Sequence, residues 1–334
     1  MSGASSSGAG WSTQLEPALH RRDHPPRRDD PRLEDIIELW TGDPAAFKPG
    51  RGVLIGFPQD HGVRRNHGRR GAAAAPQEIR SYLNRLTPWD GENDVDLTAL
   101  PPLDLGNLHI EGSLEQTQAT LGEVIAAVLE RGAVPIVLGG GHETAYGHYL
   151  GYVAAQRPVG IINLDAHLDV RPCHGDHGHS GSPFRQALEH SQSPLSGRYY
   201  VCLGAQPHAV SRAHWLYVRE RGGVVRWAGE VKGHLTELFA QHRDRLAANG
   251  SVYLTIDADV VSAADVPGVS APNPLGLSGA EVAACARLAG QSAAVSSLDV
   301  VEINPRHDRD GLSARWAALV VWNFLVGLAL RAGS

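Results

Sequence analysis

Between about residue 50 and residue 300 the chain alternates short aliphatic runs with longer segments whose apolar positions recur at helical spacing. The runs are GVLIGF (52–57), AVPIVL (133–138), VGIINL (159–164), YYVCLG (199–204), GVVRWA (223–228), SVYLTI (251–256) and VSSLDVV (295–301). They are continuous and rich in Val and Ile, which predicts strands buried on both faces. The segments between them carry helix punctuation. Ser113 with Gln116, and Ser278 with Glu281, have capping-box spacing; Gly132 stops the first of these helices; Pro76 stands where a first turn begins ahead of QEIRSYLNRL (77–86). The alternation predicts an α/β fold with one mostly parallel sheet covered by helices on both faces. The apolar stretch 317–330 is too short to span a bilayer and contains Asn323, so it reads as a buried helix.

Four of these runs end on polar groups of one kind. AVPIVL leads into Gly139-Gly140-Gly141-His142, VGIINL into Asp165-Ala166-His167-Leu168-Asp169, SVYLTI into Asp257-Ala258-Asp259, and VSSLDVV into Glu302. In open parallel sheets the carboxyl ends of the strands are where ligands bind. The four aspartates at these ends, Asp165, Asp169, Asp257 and Asp259, would repel one another if gathered there without counter-ions. Two divalent cations balance four carboxylates, with His142 and His167 as neutral ligands. Alternation puts Asp165, His167 and Asp169 on one side of an extended segment, and Asp257 and Asp259 likewise. This oxygen-rich donor set favours manganese over zinc, with other divalent metals open. Two such ions lower the pKa of a shared water and so supply a nucleophile at neutral pH. Each motif alone has a plainer reading, as a cap, a turn histidine or a surface ion pair; DAHLD after a buried strand is the specific one.

Composition narrows the class. The chain has 334 residues, 42 % of them hydrophobic, and a net charge of −6, which gives no electrostatic basis for nucleic-acid binding. Cys173, Cys202 and Cys285 are odd in number and widely spaced, pointing to a reducing compartment. Residues 1–31 have no signal-like apolar region; they are Gly/Ser-rich, then charged and proline-broken, and are expected to form a disordered tail ahead of a single catalytic domain at 32–334. A cytoplasmic enzyme with a small-molecule substrate, and neither membrane nor nucleic acid as partner, is the expectation.

At these residues the chain resembles the ureohydrolase (arginase and agmatinase) family. LGGGHE (138–143), NLDAHLDVR (163–171), TIDADVVSAADVPGVSAPNP (255–274) and SLDVVEINP (297–305) occur in the family's order, and the resemblance covers roughly residues 33–330. It implies a three-layer α/β/α sandwich around a mostly parallel sheet of about eight strands, two Mn2+ per chain, and a homo-oligomer. It also implies that His142 and Asp169 serve one ion, His167 and Asp259 the other, and that Asp165 and Asp257 contact both.

Within the family the chain is most similar to the formimidoylglutamase branch, on GVRRNHGRRGAAAAPQEIR (62–80), GSPFRQ (181–186) and EINPRHDRDG (302–311). That branch hydrolyses N-formimidoyl-L-glutamate, an intermediate of histidine breakdown, to L-glutamate and formamide. The residues suit such a substrate. Asp165, Asp257 and Glu302 are the expected catalytic carboxylates, with Glu302 also facing the cationic formamidine head. Arg171 and Arg306 are candidates for its two carboxylates. Arg64, Arg65 and Arg69 lie in a polar loop that either reaches the pocket or faces water. Ser180, before the Gly181-Ser182-Pro183 turn, occupies a position where arginase relatives carry a proton-shuttling histidine. His174, His177 and His179 nearby either take that role or belong to a solvated loop. The alternative is an agmatinase-like enzyme releasing urea from a guanidine. A two-metal phosphoesterase fits poorly, since the acids would repel phosphate. A single-zinc deacetylase leaves the clustered aspartates unexplained.

Overall fold

The structure, a computed structural model, describes residues 10–18 and 29–333. Eight strands form its centre: β1 (Gly52–Gly56), β2 (Leu103–Leu108), β3 (Val134–Leu138), β4 (Val159–Leu164), β5 (Tyr200–Ala205), β6 (Val224–Trp227), β7 (Ser251–Asp257) and β8 (Val295–Val301). They lie in the order β2-β1-β3-β8-β7-β4-β5-β6, with every neighbouring pair parallel. The two-residue strands Leu15–Glu16 and Glu38–Leu39 both pair with β2 and bring the sheet to ten.

The longer helices are α1 (Ala75–Leu83), α2 (Leu114–Glu130), α3 (Thr144–Ala154), α4 (Arg212–Glu220), α5 (Leu235–Ala247), α6 (Gly279–Gln291) and α7 (Leu312–Ala332). Strand residues of alternate parity feed two separate cores. Leu54, Ile136, Leu138, Leu254 and Ile256 pack with α1, α5, α6 and α7; Val53, Ile55, Val137, Ile161 and Tyr253 pack with α2, α3 and α4. The result is the expected three-layer α/β/α sandwich. Each fully buried Leu, Ile or Val contributes roughly 1.5–3 kcal/mol, which is why the strands read as unbroken aliphatic runs. Edge strand β6 is only half-buried.

The expected caps are present. Ser113 and Gln116 close a reciprocal box at the start of α2, as Ser278 and Glu281 do at α6, and Gly132 takes φ 72° directly after α2. Helix α7 is long and apolar enough to span a membrane by composition, but 67 % of its apolar window is buried inside the fold, where it packs on α6. It is a core helix.

Two features depart from the sequence reading. Strand β2 (LDLGNL) was not among the predicted runs, because Asp104 and Asn107 interrupt its apolar pattern. Both are matched by Arg80 of α1. Its Nε and Nη2 reach the two Asp104 carboxylate oxygens at 2.8 and 3.0 Å, and its Nη1 reaches Asn107 Oδ1 at 2.6 Å. Of the expected disordered tail, residues 1–9 and 19–28 lie outside the described residues. The part between them is not a free tail: Leu15–Glu16 pairs antiparallel with Asn107–Leu108 of β2, and Trp11 stacks on Trp40.

Candidate metal centre

The four strands that end on acidic or imidazole groups are neighbours at the middle of the sheet, in the order β3-β8-β7-β4. Leu138, Val300, Ile256 and Leu164 form one row across them. The chain therefore leaves all four strands at one level. Asp257 and Asp165 follow that row directly, while the glycine turn after β3 carries His142 back over it. The convergence is a consequence of strand register rather than of nearness in sequence.

His142 is fully buried, and its Nδ1 lies 2.9 Å from Asp169, 3.1 Å from Asp257 and 3.4 Å from Asp165. None of these oxygens meets the nitrogen in hydrogen-bonding geometry. On its other side, Nε2 lies 3.1 Å from Thr255 Oγ1, so the tautomer that donates from Nε2 leaves a bare Nδ1 lone pair. The His167 Nδ1 lies 3.1 Å from Asp259 and 3.5 Å from Asp165. Donor atoms of His142, Asp165, Asp169 and Asp257 fall within 4.8 Å of one another, as do those of Asp165, His167 and Asp259. All six residues flagged from sequence thus meet, in two groups that share Asp165, with Asp257 in the group of His142 and Asp169.

Neighbouring groups hold these carboxylates in place. Asp165 accepts from His167 N at 2.6 Å and from Asn163 Nδ2 at 3.0 Å. Asp257 accepts from Asp259 N at 2.9 Å, and Asp259 from Ala166 N at 3.3 Å. Asp169 and Glu302 have φ values of 46° and 65°, sparsely populated for non-glycine residues and a feature of functional sites. The Glu302 Oε1 accepts from His142 N at 2.8 Å, and its Oε2 is buried without a partner among the described residues.

The electrostatics are those of a site whose negative charge needs a cation. Burial, then the neighbouring Asp259, pushes the Asp257 carboxyl well above its usual range; burial and Asp257 do the same to Glu302. Asp169 and Asp259 are also raised, mainly by burial. Burial opposes the charged form of Asp165 too, but contacts with His142 and His167 hold its carboxyl low. His142 is raised well above its usual value by the three carboxylates despite burial, and His167 by the charge of Asp259. Carboxylates crowded in low dielectric, with an imidazole lone pair aimed among them, suit two divalent ions.

The residues expected to meet substrate have the following contacts. The Arg171 Nη1 donates to Asn66 Oδ1 at 3.1 Å, and Asn66 Nδ2 donates to Ser180 Oγ at 3.1 Å. Arg306 is exposed, with the start of its side chain against Gly71. Arg69 is spent on the carbonyls of Val269 and Ser270, and Arg65 on Glu115 and the Gly178 carbonyl. The His179 Nε2 faces the Pro172 carbonyl at 3.1 Å and its Nδ1 accepts from Gly181 N at 3.1 Å, which leaves no ring nitrogen for proton relay. Asn66 and Glu143 escaped the sequence reading as site residues. Glu143 is buried beside His142, accepts from Gly62 N at 2.6 Å, and is pushed up to about 7 by burial. Its only sequence signal was adjacency to His142.

A model of the arginase family matches residues 51–327. The chain belongs to the arginase family. Among its curated relatives, the formimidoylglutamase of Chromobacterium violaceum is 39 % identical over 277 residues, covering 81 % of this chain and 86 % of that protein. That of Geobacillus thermodenitrificans is 40 % identical over 272 residues, covering 80 % and 81 %. The crystal structure of Trypanosoma cruzi formiminoglutamase with two Mn2+ superposes with a TM-score of 0.82 at 35 % identity, over 91 % of this chain and 100 % of that one.

Proposed function

We propose that this arginase-family hydrolase cleaves N-formimidoyl-L-glutamate to L-glutamate and formamide, as the names of its curated relatives suggest. The observation that carries the reading is the convergence of two His/Asp donor groups and Glu302 at one strand edge, with Arg171 two residues beyond Asp169 in the chain. His142, Asp165, Asp169 and Asp257 would hold one ion, and Asp165, His167 and Asp259 the other; manganese is the assignment, in line with the two Mn2+ of the Trypanosoma cruzi protein. When bound, the two ions supply an acidified water and stabilise the charge that develops on the substrate.

The remaining work falls to the protein. Asp165 and Asp257 orient the attacking water. Glu302, fixed by the His142 amide, accepts from the N–H face of the formamidinium and keeps its carbon over that water. Water adds to this carbon, the bond to the glutamate nitrogen breaks, and both water protons end on that nitrogen, which leaves as the ammonium group of glutamate. Formamide and glutamate account for all atoms. Arg171 binds one substrate carboxylate, Arg306 the other, and Ser180 lines the same wall. An arginine at 171 disfavours the agmatinase alternative, because agmatine ends in a cation. A place in histidine degradation, a cytoplasmic location and a homo-oligomeric state complete the reading.

The test is a substrate screen on the manganese-loaded protein, scoring formamide, urea and ammonia. Formamide from formimidoylglutamate is expected. Urea from agmatine with no formamide from formimidoylglutamate overturns it.

A further inference from the structure

We infer that Asn66 is a specificity-determining positioning residue, which holds the Arg171 guanidinium at the site's mouth while leaving its charge free for a substrate carboxylate. The inference rests on the reading of Arg171 as a carboxylate anchor. Asn66 lies at the carboxyl end of the short helix His61–Arg65, far in sequence from Arg171 and Ser180, and its amide bridges the two. A guanidinium has no acceptor, so the amide orientation is determined: Oδ1 faces Arg171 and Nδ2 faces Ser180.

Two further observations support a built arrangement. A Cβ at Gly181 would come within 2.9 Å of Arg171 Cδ and 3.0 Å of Asn66 Nδ2, so the clasp closes over a residue with no side chain, and Arg171 N donates to the Gly181 carbonyl at 2.8 Å. The same short helix is tied to the same loop a second time, by Arg65 to the Gly178 carbonyl.

The choice of a neutral partner is the informative part. Arg65, on the same short helix as Asn66, is by contrast paired with Glu115. Arg171 is exposed, and among the described residues its guanidinium meets an amide rather than a carboxylate. An amide fixes one N–H and leaves the others, with the full charge, for a bidentate carboxylate. An aspartate in the same place would hold the guanidinium equally well but compete with the substrate.

The test compares Asn66→Asp, Asn66→Ala and Arg171→Ala in the manganese-loaded full chain. It measures kcat and KM for formimidoylglutamate, the Ki of L-glutamate, and kcat/KM for N-propylformamidine, which has no carboxylate. Asn66→Asp is expected to raise KM and Ki roughly tenfold, Asn66→Ala a few-fold, with kcat changed less than about twofold. The kcat/KM for N-propylformamidine is expected to change less than about twofold. If Arg171→Ala raises KM and Ki but both Asn66 variants match wild type, the inference is overturned. If Arg171→Ala leaves KM and Ki unchanged, the anchor reading itself fails. A drop in kcat for Asn66→Asp without a change in Ki marks a merely structural role and overturns the inference as well.

Discussion

His142 turns Nε2 toward Thr255 Oγ1, 3.1 Å away, and directs Nδ1 among three carboxylates. When Nε2 donates to this hydroxyl of β7, the neutral ring presents Nδ1 as the candidate metal donor. Outer partners of this kind typically alter metal affinity 10–100-fold when removed. Thr255→Val keeps the shape and deletes the acceptor. We expect manganese affinity to fall by about that factor, with Thr255→Ser close to wild type; metal titration of the stripped protein reads it directly. Unchanged affinity in Thr255→Val removes Thr255 from the account.

Metal removal has a pH signature. In the metal-free fold, Asp169, Asp257, Asp259 and Glu302 have raised pKa values, Glu143 is pushed up to about 7, and His142 and His167 are raised as well. Only Asp165 among the ligands runs the other way. The folded apo state therefore binds more protons than the unfolded chain between about pH 5 and 8, and its stability falls as pH rises through that window. The raised carboxyls oppose folding increasingly above their ordinary values near 4, and the raised histidines lose their contribution above 6.5. Thermal melts of stripped protein should drop in Tm from pH 5.5 to pH 8, while melts of metal-loaded protein stay flatter, because the cations replace those protons. Parallel pH dependence in both forms contradicts the assignment.

Among the described residues, Glu302 has one carboxylate oxygen without a partner. One carboxylate oxygen is fixed by His142 N, the other is buried and open, and the residue holds a φ of 65° to stay there. Glu302→Gln retains the shape and one acceptor but not the charge. A charge-assisted contact made to the formamidinium predicts a loss in kcat/KM of about 100-fold, roughly 3 kcal/mol, with metal content unchanged. Steady-state kinetics beside metal analysis separates this from loss of the ions. A variant that keeps wild-type kcat/KM leaves Glu302 with a purely structural role.

How much of this was visible in the sequence follows from geometry. The six ligand candidates were legible because each stands at the end of a buried aliphatic run, and parallel strands deliver their ends to one edge. The pairing of ligands was less so: Asp165 joins both donor groups and Asp257 falls in the one with His142, which depends on side-chain direction and not on spacing. Asn66 was invisible, because an isolated asparagine in a polar loop has no pattern and gains meaning only from Arg171 and Ser180, both more than a hundred residues away. Strand β2 was hidden for a different reason. Its polar residues are buried, and the residue that permits this, Arg80, lies on another element.

That same pair gives the clearest stability prediction. Arg80 and Asp104 are both fully buried and joined by two parallel hydrogen bonds, and Arg80 also donates to the Gly106 carbonyl at 2.7 Å. The contact fastens α1 to β2, near the sheet edge and away from the metal ligands. Removing one partner strands a buried charge, so Asp104→Ala is expected to cost about 3–5 kcal/mol. Replacing both, with Arg80→Met and Asp104→Leu together, removes the charge and restores apolar packing, and should recover most of that loss. Urea unfolding of the metal-loaded proteins measures both. A double variant as unstable as the single one would mean that the remaining Arg80 contacts, to Asn107 and Gly106, and not the ion pair, fasten the helix to the sheet.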